Sequence, residues 1–358
     1  MARARPLGVY CPRGTIAVVA LLTATTAGLA GCQQTVVFER AEAGTDDGGV
    51  GPSCGPHSFE GMIIPAMPQT PVVMVALDRA SEMNQEFGPP GSPTKLNAAR
   101  DAVRAVVESY NTVVQFGYVG FPGKAKGGCS DTCCSSVDWI YPSFGDASGF
   151  IDEFAMCDAA AMNCPIGYDR PTAAALTSCQ TALAPSPTSD LHVASRTVLL
   201  ITDGDPGCQG GAGDPCQYAQ LLVSDLMTMS NAHTSVTVVG LGTPNTGNCL
   251  TKLAFGQNYV NPSRPNDLSS AIQTIVRQIA KGACHLLLPP SFGDPSRLHV
   301  SVNDTDFALS STDGWTPDGR SPEGGGQIVL NGRACETFLD SGLAAPTVYA
   351  CSGSGNFH

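Results

Sequence analysis

The sequence predicts an α/β protein: a doubly wound, mainly parallel sheet with helices on both faces, followed by a small β-rich module. Three observations predict it. Apolar runs such as Val72-Val73-Met74-Val75-Ala76-Leu77 carry no polar interruption, as strands buried on both faces do. Segments with apolar residues at helical spacing separate these runs, and a repeated order of strand, crossover and strand makes the sheet parallel. Beyond Cys284 the runs become short and are punctuated by Asp-Gly, Gly-Gly and proline turns, which mark hairpins.

The chain begins with the layout of a secretory signal. Arg3, Arg5 and Arg13 precede an uncharged, Ala- and Leu-rich stretch from Thr15 to Ala30. That stretch falls short of the roughly 20 residues that span a bilayer. Leu29-Ala30-Gly31-Cys32 resembles the lipobox of bacterial lipoproteins. The resemblance implies that residues 1–31 are removed and that Cys32 becomes an acylated first residue, held to a membrane by its lipid. Gln33, standing where an aspartate would signal retention, implies the outer membrane. Ordinary secretion and a retained helix are the alternatives. After Cys32 no apolar run reaches 18 residues, so the body reads as a tethered domain rather than a channel.

Residues 32–69 are rich in Gly, Pro, Asp and Glu, and read as a flexible acidic spacer. The α/β body is expected over 70–283. Its first strand feeds a helix marked by Leu96, Ala99, Val103, Val106 and Tyr110. A second strand follows at Val113 to Val119, then helices near Ala147 to Met156 and from Thr172 to Leu183, and a strand from Thr197 to Ile201. Tyr218, Leu221, Leu222, Asp225 and Met229 mark one side of the next helix, before a strand from Ser235 to Val239. A last helix carries Leu268, Ile272, Ile275 and Ile279, with Asn266 or Asp267 as N-cap and Lys281-Gly282 as its stop. Residues 284–358 form the β-rich module, with strands at Leu298 to Val302, Gln327 to Leu330 and Thr347 to Ala350.

Charge narrows the partners. The chain carries −12, and without the three arginines of the signal 16 basic groups face 31 acidic ones, a balance of −15. Such a body repels nucleic acid and anionic headgroups; basic partners or cations suit it better. Of the 15 cysteines, Cys11 lies in the signal and Cys32 takes the lipid, and the remaining 13 fit disulfides in an oxidising compartment. The odd number leaves at least one thiol outside any internal pair. Spacing points to Cys157 with Cys164, Cys208 with Cys216, and Cys335 with Cys351, while Cys54 or Cys249 would join Cys284. Cys129, Cys133 and Cys134 share a Gly-rich loop, better read as disulfides than as a zinc knuckle.

In open parallel sheets ligands bind beyond the carboxyl ends of the strands, so the turns after Leu77 and Ile201 are the places to look. The first reads Asp78-Arg79-Ala80-Ser81-Glu82, the second Thr202-Asp203-Gly204-Asp205, and Arg170-Pro171-Thr172 lies between them in sequence. In spacing and order these three segments resemble the von Willebrand factor type A family over about 215 residues of this chain. The resemblance implies an adhesive or assembly role and a Mg²⁺ or Mn²⁺ site, held by an Asp-x-Ser-x-Ser segment, a threonine and an aspartate. A hard cation of this kind takes about six oxygen ligands.

The chain departs from that pattern. Asp78 and Asp203 match, but Ala80 and Glu82 stand where the serines belong and Arg170 where the threonine belongs. Ala80 offers no oxygen, and a guanidinium repels a divalent ion. The favoured expectation is therefore a metal-free ligand-binding site of Asp78, Glu82, Arg170 and Asp203, with Arg170 as internal counter-cation. The competing expectation slides the middle segment by two residues, so that Asp78, Glu82, Thr172 and Asp203, with Asp205, hold Mg²⁺, Mn²⁺ or Ca²⁺.

Other motifs are weak. The six histidines form no i, i+4 pair, and neither Gly-x-Ser-x-Gly nor His-Glu-x-x-His occurs. Gly240-Leu241-Gly242 lacks the third glycine of a dinucleotide loop, and Ser311-Thr312-Asp313-Gly314-Trp315 reads as a hairpin turn with one packed tryptophan. The sequence thus points to a non-enzymatic envelope lipoprotein, facing the periplasm or the surface, that binds a protein or an envelope component. A metal-dependent adhesin with altered ligands, a structural spacer and, last, a hydrolase are the other readings.

Overall fold

The chain divides into two units, 1–50 and 51–358. The computed structural model describes residues 61–64, 66–123, 137–143, 170–184, 193–207, 213–228, 234–242, 247–255, 258–289, 298–320, 326–341 and 346–351, all in the second unit. The signal, Cys32, most of the expected spacer, the helix expected near Ala147 to Met156, and Cys54, Cys129, Cys133, Cys134, Cys157, Cys164 and Cys208 lie outside the described residues.

In chain order the strands and helices are β1 (Gly61–Ile64), β2 (Met67–Pro68), β3 (Thr70–Asp78), α1 (Lys95–Tyr110), β4 (Gln115–Phe121), β5 (Asp138–Ser143), α2 (Thr172–Ala182), β6 (Val193–Thr202), α3 (Pro215–Thr228), β7 (Thr234–Gly240), α4 (Gly247–Leu253), β8 (Tyr259–Val260), α5 (Pro265–Ala280), β9 (His285–Leu287), β10 (Leu298–Val302), β11 (Thr305–Phe307), β12 (Trp315–Arg320), β13 (Gly326–Leu330), α6 (Gly332–Ser341) and β14 (Thr347–Cys351). Short 3₁₀ turns occupy Ser81–Asn84 and Lys281–Cys284.

Six strands form the central sheet in the order β5-β4-β3-β6-β7-β8, parallel except for β5 at the edge. The apolar run of β3 is buried throughout because both of its faces are covered. Val73, Val75 and Leu77 enter a core layer with α1 and α5, while Val72, Met74 and Ala76 enter another with α2, α3 and α4. The period of two in a strand sends alternate residues to opposite layers, and helices cover both faces. α1 begins where Thr94 Oγ1 accepts the Asn97 amide hydrogen at 3.2 Å, and the five residues that predicted it are all buried.

Several expectations are corrected. The spacer was expected to run to residue 69, yet Gly61–Ile64 pairs antiparallel with Thr347–Cys351, and Met67–Pro68 with part of β9. Two antiparallel sheets result, β1-β14-β10-β11 and β12-β13-β9-β2, so strands on either side of the α/β body pair together. The module is not purely β. α6 buries Ala334, Cys335, Phe338 and Leu339, a helical stripe hidden in the sequence between two turns. α5 is capped at Arg264 with Pro265 as its first residue, not at Asn266 or Asp267, since proline fits the first helical position. α3 is turned relative to expectation: Ala219, Leu222, Val223 and Leu226 face the core, while Tyr218 and Leu221 are exposed.

The two disulfides among the described residues join separate elements rather than close neighbours in the chain. Cys216 joins Cys249, tying the start of α3 to α4, and Cys284 joins Cys335, tying the end of the α/β body to α6. This overturns the expected pairs of Cys208 with Cys216, Cys335 with Cys351, and Cys54 or Cys249 with Cys284. Among the described residues Cys179 is a free thiol, wholly buried, and burial pushes it up to about 12. Trp315 is packed as expected, its indole N–H donating to the Phe307 carbonyl at 3.1 Å.

Candidate functional site

β3 and β6 are neighbours, and their register places Asp78 beside Thr202 at the carboxyl edge of the sheet. The chain crosses here from one half of the sheet to the other, the switch point at which open α/β sheets bind ligands.

Asp78 has no exposed surface. Its Oδ1 accepts the Ala80 amide hydrogen at 2.8 Å, and its Oδ2 accepts from the Thr202 hydroxyl at 2.6 Å and from Arg170 Nε at 3.1 Å. Burial raises the carboxyl from 3.8 to about 6, against the opposing pull of the Thr202 hydrogen bond, the Arg170 charge and the Ala80 amide, and Asp203 adds to the rise.

Arg170 precedes α2, and its backbone is held because its carbonyl accepts the amides of Thr172 at 2.7 Å and Gly207 at 3.1 Å. Its guanidinium reaches three carboxylates. Nε also contacts Asp203 Oδ1 at 3.2 Å, and Nη2 lies 2.7 Å from Asp203 Oδ1 and 3.2 Å from Glu82 Oε2. It covers Gly204, where a Cβ would stand 2.6 Å from Cζ, so the absence of a side chain there makes the close approach. Burial works against its charge, but Asp78 and Asp203, then Glu82, outweigh it and push the guanidinium higher still. The side chain is 16% exposed, and Nη1 has no partner among the described residues.

Two functional neighbours escaped sequence reasoning. Lys95, the first residue of α1, sends Nζ to Asp203 Oδ2 at 3.0 Å and to Gln85 Oε1 at 3.3 Å. Nothing in its spacing from the acidic turns marks it. Thr202 was in view as part of the second turn, and a hydroxyl at the last position of a buried strand, next to an acid, is a signal that was there to use. Glu82 is 39% exposed and also accepts from Ser81 Oγ at 3.1 Å.

Thr172 is buried at the start of α2, with its hydroxyl 3.5 Å from the Arg170 carbonyl rather than on any of the three carboxylates. Asp205 is exposed at the rim, its carboxyl raised by partial burial against the Leu250 backbone and the Arg170 charge. Neighbouring Arg79 is buried and donates to the carbonyl of Pro122 at 2.7 Å, fixing the end of β4 to that of β3. A separate cavity of about 230 Å³ lies in the C-terminal module, lined in part by Lys281, His285, Asn331 and Glu336, and shares no residue with the strand tips.

The arrangement as it stands does not fit a divalent ion. An ion between Asp78, Glu82 and Asp203 would meet the guanidinium that already contacts all three. Ala80 lies wholly buried with no oxygen to give. What the geometry can do chemically is hold a fixed, partly exposed positive fork in a ring of acids.

No protein-family model matches the chain, and no curated protein matches it. Among solved structures it is similar to the PilB minor pilin from Streptococcus sanguinis, at 15% identity and a TM-score of 0.43, over 61% of this chain and 62% of that one. It is also similar to the pilus adhesin SpaC from Lactobacillus rhamnosus GG, at 12% identity and a TM-score of 0.47, over 80% of this chain and 39% of that one. The chain therefore spans less than two thirds of the length of either protein.

Proposed function

We propose that this chain is a cell-envelope lipoprotein, anchored through Cys32, whose α/β body belongs with von Willebrand factor type A domains and binds a protein or another envelope component. The binding edge is the one around Asp78, Glu82, Arg170 and Asp203, and it works without catalysis. One observation carries the reading: the guanidinium of Arg170, a side chain 16% exposed, bridges three carboxylates at a sheet switch point. Among the described residues Nη1 is the guanidinium nitrogen without a hydrogen-bond partner, and the proposal gives it a partner's carboxylate. The buried carboxyls of Asp78 and Asp203 are already committed to cations, which argues against general acid or base work on a substrate they would have to touch.

The test is a pull-down from detergent-solubilised envelope using the full lipidated chain, with and without chelator, beside an Arg170→Ala variant shown to be folded by circular dichroism. A partner that survives chelator and is lost with Arg170→Ala is expected. Loss of the partner on chelation, or its retention by the variant, would overturn the reading.

A further inference from the structure

We propose that Arg170 and Lys95 are resident cations that jointly stand in for a divalent ion, so that the strand-tip edge is complete without metal and an added ion finds no place there. The proposal shares its location with the reading above. Its test measures ion binding and folding rather than a partner, so either can fail alone.

Charge is the first argument. At neutral pH Asp78, Glu82 and Asp203 bring three negative charges to one point, and Arg170 and Lys95 bring two positive ones within ion-pair distance. One divalent ion would leave the same balance. The two cations come from separate segments, Arg170 two residues before α2 and Lys95 the first residue of α1, and they divide the work. Arg170 takes Asp203 Oδ1 and Lys95 takes Oδ2, so the two oxygens of one buried carboxylate are each held by a different positive group.

Occupancy is the second. Of the six carboxylate oxygens, five accept a hydrogen bond or ion pair: both of Asp78, both of Asp203 and one of Glu82. Those donors aim positive hydrogens into the space that a cation would need. The Thr202 hydroxyl gives its proton to Asp78 and receives the Gly204 amide at 3.3 Å, so its oxygen is also in use. Because both cations are covalently part of the chain, neither dilution nor chelation removes them.

The experiment uses the full chain in detergent, and reads Mn²⁺ binding by electron paramagnetic resonance together with the thermal midpoint. The wild type is expected to bind no Mn²⁺ at this edge and to keep its midpoint in Mg²⁺, Ca²⁺ or chelator. Arg170→Gln/Lys95→Gln should melt lower and gain a Mn²⁺ site there, with an affinity at least about tenfold above the limit of detection at which the wild type shows none. Ion should restore part of its loss, about 2–4 °C for each tenfold excess over the dissociation constant. Adding Asp78→Ala should abolish that binding, and Arg170→Lys, which keeps a charge, should stay indifferent to ion. Micromolar Mn²⁺ binding by the wild type that Asp78→Ala removes would overturn the proposal, as would a folded double variant that ignores ions. Should the double variant fold only with Mn²⁺ present, the proposal is supported. Should it fold in neither condition, Arg170→Gln alone decides, and no gain in Mn²⁺ binding by that variant counts against it.

Discussion

A carboxylate stripped of water holds its proton longer, and burial at the end of β3 raises the Asp78 carboxyl from 3.8 to about 6. The sign of the consequence follows from linkage. The folded state keeps this proton where the unfolded chain has lost it, so the group's stabilising contribution is fullest below about pH 4 and is lost as pH rises through about 6. At about 1.4 kcal/mol per unit, the change approaches about 3 kcal/mol. Asp78→Asn has no such proton to lose. The unfolding free energy of the wild type, minus that of Asp78→Asn, should fall by about this amount between pH 3 and 7.5, measured by denaturant titration at each pH. A difference that stays flat would show that Arg170 and Thr202 cancel the burial. At this scale the sequence speaks through acids and through a misplaced arginine, because strand tips are where buried runs stop and polar groups begin. Lys95 was silent: it reaches Asp203 across 108 positions, and only the packing of α1 brings it there.

Elements differ in how much of their packing the residues declare. β3 and β6 were readable because the stretch of a strand covered on both sides is apolar, as residues 72–77 and 198–201 are. α3 was misread because it carries more apolar residues than its buried face holds: Leu221 is 59% exposed, while Leu226 is wholly buried against the central sheet. Exposed apolar residues are common on folded proteins, so a count of them cannot orient a helix. The same contrast supplies a test. Leu226→Ala should lower the unfolding free energy by about 2–5 kcal/mol, the range for a large side chain deleted from a closed core. Leu221→Ala should change it by no more than about 0.5 kcal/mol. Equal losses at the two positions, measured by guanidinium unfolding, would mean that the face assigned to solvent is covered by something else.

At the scale of the whole molecule, the order of pairing was beyond the sequence. Local patterns announce a strand, but which distant strand it joins depends on register and sheet order, and a four-residue run such as Gly61–Ile64 carries little of either. Its pairing with β14, and that of β2 with β9, joins strands that precede the α/β body to strands that follow it, so the body is an insertion within that module. Residues of the same module, among them Leu286, Val300 and Ile328, belong to one buried cluster with residues of α1 and α5. Cys284 with Cys335, and the ion pair of Arg277 with Glu336, fasten α5 and the turn after it to α6. A chain shortened to begin at Thr70, where composition alone puts the start of the folded body, would leave β14 and β9 each with an open edge. Four residue pairs are lost from one ladder and two from the other, at about 0.2–1 kcal/mol each, a drop of a few kcal/mol. Open edges also invite pairing between molecules. Size-exclusion chromatography with light scattering should therefore find the chain beginning at Thr70 associating and melting lower, and the chain beginning at Gly61 monodisperse. If the two behave alike, β1 and β2 add nothing to the fold, and the module closes without them.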